Sequence, residues 1–291
     1  FVLGNYWPKD WVRTTAPMGI PSLQFFANHC ALWTPWNSNK LVKTMTERFK
    51  AWYKAQQFRP RWYSVLINPF FIIRRDLYRT LSGMASEFRG GSMLDFGCGA
   101  KPYQHLFDVK EYIGLDMENP GHPHLTEEVD VFYDGKTIPF EAQRFDYALA
   151  SEVLEHVFEP DRILGELHRV LKPGGLVLFT VPFVWNEHEM PYDYARYSQG
   201  GFASLLERNG FEVVRSSKTN GYTATWLQMG ILGWYQRWET RNKYLNLVLG
   251  LILLAPLNLL AAVLVAFFPG SNSWYCNTVF MAKATKNAGA I

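Results

Sequence analysis

Two carboxylates and two imidazoles stand close enough along this chain to act together. Glu152, Glu155 and His156 lie within the segment "SEVLEHV", and His188 follows in "WNEHEMPYDYARY". On an α-helix, positions 152, 155 and 156 share one face, which a neighbouring loop carrying His188 could meet. Three roles suit such a set. It can hold Mg²⁺, Mn²⁺ or Zn²⁺ in an open site. It can supply His156 or His188 as a metal-free general base. It can also merely cap and brace the helix. Beyond His188, the residues Tyr192, Asp193, Arg196 and Tyr197 either shape an acceptor pocket or form a structural lid.

A second cluster precedes this one. The stretch "MLDFGCGAKPYQHLF" (93–107) places Gly97-Cys98-Gly99 directly after a short apolar run. Glycines there let the backbone turn tightly and approach a ligand with no Cβ in the way. A dinucleotide fingerprint would carry a third glycine three residues on. None occurs in Ala100–Tyr103, which argues against NAD. Asp116, ending the run "EYIGLD", is placed to accept hydrogen bonds from both hydroxyls of a ribose and would repel a 2′-phosphate. These features favour a nucleoside.

The elements that must position these groups alternate. "SMLDF", "EYIGLD", "EVDVFYD", "FDYALAS", "LVLFTVPF" and "FEVVRSS" read as strands, and "NTVFMAKAT" as a seventh. A helix is expected over "EVLEHVFEPDRILGELHRVL", stopped by Lys172-Pro173-Gly174-Gly175. Another is expected over "SQGGFASLLERNGF", with Ser198 as N-cap and Asn209-Gly210 as its end. Strands alternating with helices imply an α/β fold with a mostly parallel sheet covered on both faces. Ligands of such sheets sit beyond the carboxyl ends of the strands, where the strand order reverses. Upstream, the apolar spacing predicts helices over 41–57 and 68–88, the second with Pro69 in its first turn. Residues 1–39 read as an irregular arm. The domain boundaries expected are 1–89 for the basic, aromatic-rich amino-terminal region, 90–222 for the α/β core, 223–270 for a hydrophobic insertion, and 271–291 for the last strand and tail.

The runs "LDFGCG", "GLD", "DGKTIPF", "FDYALASEVLEHV" and "LHRVLKPGG", in this order and spacing, resemble the class I S-adenosylmethionine-dependent methyltransferases of the type 11 kind. The resemblance covers about residues 90 to 222. It implies a Rossmann-like seven-stranded sheet with S-adenosylmethionine as cofactor. By the same resemblance, Asp95, Gly97, Cys98 and Gly99 would line the cofactor's amino-acid end and Asp116 would hold its ribose. Met117 would pack on the adenine, Asp134 and Gly135 would meet the adenine edge, and Ala150 and Ser151 would form the floor. The alternative for Asp134 is a turn residue ahead of Gly135. Some quinone-pathway and RNA 2′-hydroxyl methyltransferases carry a similar E-x-x-E-H set with a metal, whereas "LEHV" also occurs in metal-free relatives.

Composition bears on location. Residues 1–90 carry thirteen Lys or Arg against four Asp or Glu, within a chain whose net charge is only +3. The whole chain holds eleven Trp, six of them in this region, and a basic, Trp-rich region suits an anionic membrane surface as well as an ordinary solvated face. With no Lys/Arg tract or binding motif, nucleic acid is not an expected partner. Three widely spaced cysteines fit a reducing compartment, and no secretory signal is expected at the start. Between Lys243 and Lys283 no residue is charged. The 25-residue run 244–268 would be about 37 Å long as one helix, enough to span a bilayer. Flanking strands in one sheet, however, require the chain to return to the side it left. A re-entrant or interfacial hairpin broken near Pro256 and Asn258 satisfies this. So do two spans formed with residues 222–238. A soluble cap or dimer interface is the remaining alternative. The function expected is methyl transfer to the hydroxyl of a lipid-linked sugar, surface-polysaccharide precursor or similar acceptor, at the cytoplasmic face of a membrane. A quinone or small-lipid methyltransferase and a non-catalytic membrane scaffold are the other readings.

Overall fold

In the computed structural model, seven strands hydrogen-bond in the order β3-β2-β1-β4-β5-β7-β6. They are β1 (Ser92–Phe96), β2 (Glu111–Met117), β3 (Val131–Tyr133), β4 (Phe145–Ser151), β5 (Leu171–Pro182), β6 (Phe211–Thr219) and β7 (Asn277–Ala284). The structure describes residues 48, 51–117, 129–238, 240 and 242–285. The expected arm over 1–39 and the start of the helix expected from residue 41 lie outside these. All neighbouring strands are parallel except β7, which runs antiparallel to both β5 and β6. The order reverses between β1 and β4, so the loop after β1 opens at the switch point where ligands of such sheets bind. β1 is buried along its whole length, as expected of a strand covered on both faces.

Residues 51–58 form the described part of α1. A 3₁₀ turn follows at Trp62–Leu66, then α2 at Phe71–Ala85. The sequence placed the start of α2 at Asn68. Instead Asn68 stays outside the helix, its Oδ1 accepting the Phe70 amide at 2.9 Å, and Pro69 precedes the first turn. Gly90 and Gly91 end this region with φ of 65° and 62°, a left-handed pair that glycine adopts without strain.

The single helix expected over 152–171 is three pieces. Glu152 takes φ 52°, Leu154–His156 is a 3₁₀ turn, and α3 spans only Pro160–Val170. Pro160 sits at the start of α3, where its missing amide costs nothing. Ile163, Leu164, Leu167 and Val170 bury one stripe of the helix. The Lys172–Gly175 stop falls inside β5, between Leu171, which pairs Phe145, and Leu176, which pairs Tyr147. It forms an irregularity that lets strand follow helix at once. α4 (Gln199–Arg208) begins as expected, with the Ser198 hydroxyl accepting the Gly201 amide at 3.1 Å.

Between β6 and β7 come α5 (Tyr222–Trp238), α6 (Lys243–Leu249), a π turn (Gly250–Leu254) and α7 (Ala255–Phe267). Pro256 occupies the first turn of α7, and Leu254 and Ala255 keep helical backbone. The expected break at Pro256 and Asn258 is therefore absent. The apolar run is one continuous helical rod, and the hairpin forms between this rod and α5. Ser271, just past the rod, accepts the Tyr222 amide at 2.7 Å, bringing the chain back to the edge it left. Because β6 parallels β5 in direction, its end at Thr219 lies at the carboxyl edge of the parallel strands. The whole insertion therefore rises from the edge that carries the Gly97 loop.

Candidate active site

The loop after β1 is held by its own backbone and by β2. The Gly97 and Cys98 amides both reach the Leu115 carbonyl, at 2.9 and 3.2 Å. Gly97 has φ 68°, and a Cβ there would lie 2.3 Å from Val153 Cγ2. Gly99, with φ 46°, would carry its Cβ into open space. The loop thus turns tightly at one glycine and presents bare backbone at the next. Asp116 fixes the arrangement, its Oδ2 accepting the Gly99 amide and its Oδ1 the Met117 amide, each at 2.8 Å.

Asp95 lies beneath this loop, almost wholly buried, and accepts a hydrogen bond from the Tyr112 hydroxyl at 2.6 Å. Burial pushes its carboxyl up to about 7, with Tyr112 opposing and Asp116 adding. The Cys98 thiol is likewise buried and pushed well above its ordinary range, so it is no nucleophile here.

At the neighbouring strand ends, Gly135 (φ 76°) would carry a Cβ only 2.7 Å from Met117 Sδ. The structure thus brings together the two positions expected around the adenine. The Asp134 side chain is engaged in the turn itself: Oδ1 accepts the Lys136 and Thr137 amides at 2.8 and 2.9 Å, and these bonds lower its carboxyl. Ala150 is buried within the main core. The Ser151 hydroxyl lies 2.9 Å from that of Thr180.

Three of the four residues read as a ligand or base cluster converge. One ligand atom from each of Glu155, His156 and His188 lies within 4.8 Å of the others. A shared helix face does not bring this about. The 3₁₀ turn places Glu155 and His156 side by side, and the loop after β5 delivers His188. Glu152 stands apart, because the Thr180 hydroxyl donates to its Oε1 and the Asn277 amide to its Oε2, both at 2.8 Å. Glu152 also takes a left-handed backbone, costly for a non-glycine residue and found disproportionately at functional sites.

Each imidazole is oriented by a carbonyl. His156 Nδ1 lies 2.8 Å from the Tyr192 carbonyl, and His188 Nδ1 lies 3.2 Å from that of Asn186. A carbonyl can only accept, so His156 Nδ1 carries a proton and its Nε2, in the neutral ring, a lone pair, whereas His188 Nδ1 also lies 3.3 Å from Asp193 Oδ2 and 3.5 Å from the Arg196 guanidinium. The rings meet edge to face at 4.7 Å. His156 Nε2 stands 4.0 Å from Glu155 Oε1 and 4.0 Å from Glu189 Oε2. Burial lowers the His188 imidazole, and neighbouring His156 lowers it further. Glu155 is fully buried, and among the described residues neither of its oxygens has a hydrogen-bond partner. Burial, then the nearby Glu152, pushes its carboxyl well above the usual range.

The four positions read as an acceptor pocket act largely as braces. Asp193 and Arg196 form a two-pronged pair at 2.5 and 2.7 Å. Asp193 Oδ2 also accepts the His188 amide at 2.9 Å, and Arg196 donates to the Asn186 carbonyl at 2.8 Å. The Tyr197 hydroxyl donates to the Leu154 carbonyl at 3.3 Å, and Tyr192 contributes the carbonyl that holds His156. The lid reading of this loop accounts for these contacts.

Sequence reasoning missed Gly114, Lys101 and Glu189. A Cβ at Gly114 would lie 2.3 Å from Lys101 Cε and 2.8 Å from Cys98 Sγ. Lys101 Nζ pairs with Asp130 at 2.6 Å, and that carboxylate also accepts the Gly114 amide at 2.6 Å. A glycine inside a strand pattern was the available signal for this close approach.

Residues 72–216 match the family model described as "Methyltransferase domain". An uncharacterized methyltransferase of Mycolicibacterium vanbaalenii is 29% identical over 167 residues, covering 53% of this chain and 64% of that protein. The malonyl-acyl-carrier-protein O-methyltransferase of Serratia marcescens is 28% identical over 115 residues, covering 37% of this chain and 45% of that protein. The chain thus spans less than two thirds of the length of these curated relatives. Among solved structures, a Bacillus halodurans protein described as a putative methyltransferase superposes with TM-score 0.44 at 16% identity, over 72% of this chain and 98% of that one. The glycine loop at the switch point, its tether to Asp116 and the open space before Gly99 fit S-adenosylmethionine. With this sheet order, the family-model match over residues 72–216 and the methyltransferase relatives, the chain belongs to the class I S-adenosylmethionine-dependent methyltransferases.

Proposed function

We propose that the protein methylates a hydroxyl of a lipid-linked sugar, surface-polysaccharide precursor or similar membrane-proximal acceptor. One observation carries this reading. Glu155, His156 and His188 converge at the cofactor edge of the sheet, with His156 presenting an Nε2 lone pair. Methyl transfer to an amine that is already neutral needs no such group. An alcohol must lose its proton as the new bond forms.

When bound, S-adenosylmethionine supplies an electrophilic methyl group. Gly97, Gly99 and Asp116 position the cofactor's amino-acid and ribose portions. His156 Nε2, with a carboxyl oxygen of Glu155 and one of Glu189 each 4.0 Å away, takes the hydroxyl proton. Holding donor and acceptor in line supplies much of the remaining rate.

A second form of the site is favoured by Glu155, whose buried oxygens have no hydrogen-bond partner among the described residues. Glu155, His156 and His188 offer one carboxylate and two imidazoles, each imidazole oriented through Nδ1 as metal-ligating histidines commonly are. A divalent cation there would lower the pKa of a hydroxyl placed beside it. The apolar insertion at the same edge supports an acceptor held in a membrane, at its cytoplasmic leaflet.

The test is transfer of labelled methyl from S-adenosylmethionine into bacterial membrane lipid extracts, with mass-spectrometric location of the label on oxygen. His156→Ala is expected to lower turnover by about 10²–10⁴-fold, with cofactor affinity little changed. Loss of turnover on EDTA treatment, restored by added Mg²⁺, Mn²⁺ or Zn²⁺, selects the metal form. Insensitivity to EDTA selects the base alone. Label found only on nitrogen would refute the hydroxyl reading.

A further inference from the structure

The insertion between β6 and β7 shows two unlike faces. Leu254, Asn258 and Ala261 are buried along one side of the α7 rod, where Leu254 and Ala261 pack with Val65, Phe71 and Ile72 of the amino-terminal region. Polar pegs lock this contact. Asn258 Nδ2 donates to the Val65 and Asn68 carbonyls, both at 3.0 Å. On α5, Gln228 donates to the Pro69 carbonyl at 2.9 Å and accepts the Ile73 amide at 3.3 Å.

The opposite side of the rod exposes Leu251, Ile252, Leu259, Leu260, Val263 and Phe267. Beside it, Trp226 and Trp234 of α5 are 64% and 60% exposed. The stretch Gly250–Phe267 has mean hydropathy 2.4, and only 22% of it is buried. Arg59 and Arg61 flank the 3₁₀ turn that packs on α7, with Trp62 82% exposed on that turn, and Arg237 lies in the last turn of α5.

We infer that this face docks flat onto an anionic phospholipid bilayer, with the α5–α7 pair lying in the interface plane and not crossing it. The inference deepens the membrane-acceptor reading and rests on it only for why the enzyme should dock. Length and apolarity alone would permit the rod to span. The buried side forbids it. A spanning helix needs lipid or protein of membrane depth all round, whereas this rod is sealed along one side to a domain carrying charged, water-facing surface. Peeling it away would leave the Asn258 amide in hydrocarbon and the Val65 carbonyl without the Asn258 donor. Exposed Trp and aliphatic residues on one pair of helices, with Arg237 in the last turn of α5, match what interfacial helices present to headgroups. Within the described residues 51–90, seven Lys and Arg against two Asp and Glu complement an anionic leaflet.

Docking in this pose also sets where the acceptor enters. The Asn186 amide donates to Gln236 Oε1 of α5 at 3.2 Å. Phe70 packs against both Trp185 and Tyr235, with ring centroids 5.9 and 6.5 Å apart. The loop that carries His188 is therefore attached to the docking element, and the site opens beside the headgroup layer.

The full chain, purified in detergent and freed of it, is mixed with phosphatidylcholine vesicles with and without 30% phosphatidylglycerol, a composition of roughly physiological anionic charge, and sedimented. Binding is expected to rise with phosphatidylglycerol and to fall with salt. Leu260→Glu with Val263→Glu is expected to weaken partitioning by about tenfold or more, while leaving S-adenosylhomocysteine affinity and the thermal midpoint unchanged. Carbonate at high pH should release the bound protein, and brominated lipids should quench tryptophan more strongly from shallow than from deep positions. Four results would overturn the inference: no vesicle binding, unchanged partitioning of the double variant, resistance to carbonate with deepest quenching at the bilayer centre, or a stable lipid-free dimer that the double variant dissolves. None of these readouts involves methyl transfer. Lack of vesicle binding alongside labelled lipid product would sink only the docking pose. Binding without any labelled lipid would sink only the acceptor reading.

Discussion

Asp116 acts on two partners at once, which makes its removal informative. Its carboxylate holds the Gly99 and Met117 amides and is the group assigned to the ribose. Charge-assisted hydrogen bonds are worth about 1.5–3 kcal/mol each. Asp116→Ala is therefore expected to weaken S-adenosylhomocysteine binding at least tenfold by calorimetry, and unchanged affinity would remove Asp116 from the cofactor site. Asp95 makes a prediction about pH. Its folded carboxyl is raised to about 7 from an ordinary 3.8, so between these values the folded protein binds the proton more tightly than the unfolded chain. The associated stability is fully present below about pH 4 and is lost as pH rises through 7. Urea unfolding should show wild type less stable at pH 8 than at pH 5. Asp95→Asn, which stays neutral, should flatten that fall. Each unit of the difference corresponds to at most about 1.4 kcal/mol. Parallel pH dependence in the two proteins would contradict this assignment.

At the scale of elements, the site depends on how closely β2 lets the loop after β1 approach. Gly114 faces Lys101 and Cys98 at distances no Cβ tolerates. Lys101 can swing away, but the Cys98 sulfur is buried. Gly114→Ala should therefore push the glycine loop outward, lowering stability by about 1–3 kcal/mol and cofactor affinity with it. Chemical denaturation and calorimetry check both effects, and a fully neutral substitution would show the contact to be loose. Elsewhere the helices follow their local signals: Ser198 caps α4, and the apolar stripe of α3 is buried. The turn at Leu154–His156 does not, because residues 152–156 leave β4 at the sheet edge, where the left-handed Glu152 turns the chain before a helix can start.

Across the whole molecule, the amino-terminal region, the sheet and the insertion are joined through a few buried polar bonds. Asn258→Ala would leave the buried Val65 carbonyl without the Asn258 donor, at a cost of about 1–3 kcal/mol, while the Asn68 carbonyl keeps the Phe71 amide. A clearly lowered thermal midpoint is expected, together with faster hydrogen exchange in 62–68, and a midpoint like that of wild type would show the contact to be unimportant. The sequence by itself determined the strands, the parallel α/β class, the glycine loop and Asp116, because alternation, apolar runs and glycine placement act within a few residues along the chain. It also carried the apolar character of 244–268, since composition needs no partner. Only the tertiary structure decided which groups share a site. His188 reaches His156 because β5 lies beside β4. Glu152 is withdrawn from that cluster because β7 supplies Asn277. The apolar rod stays continuous through Pro256, and one of its sides is sealed onto residues 62–72. These outcomes depend on pairings between segments far apart in the chain, whose geometry no local pattern encodes.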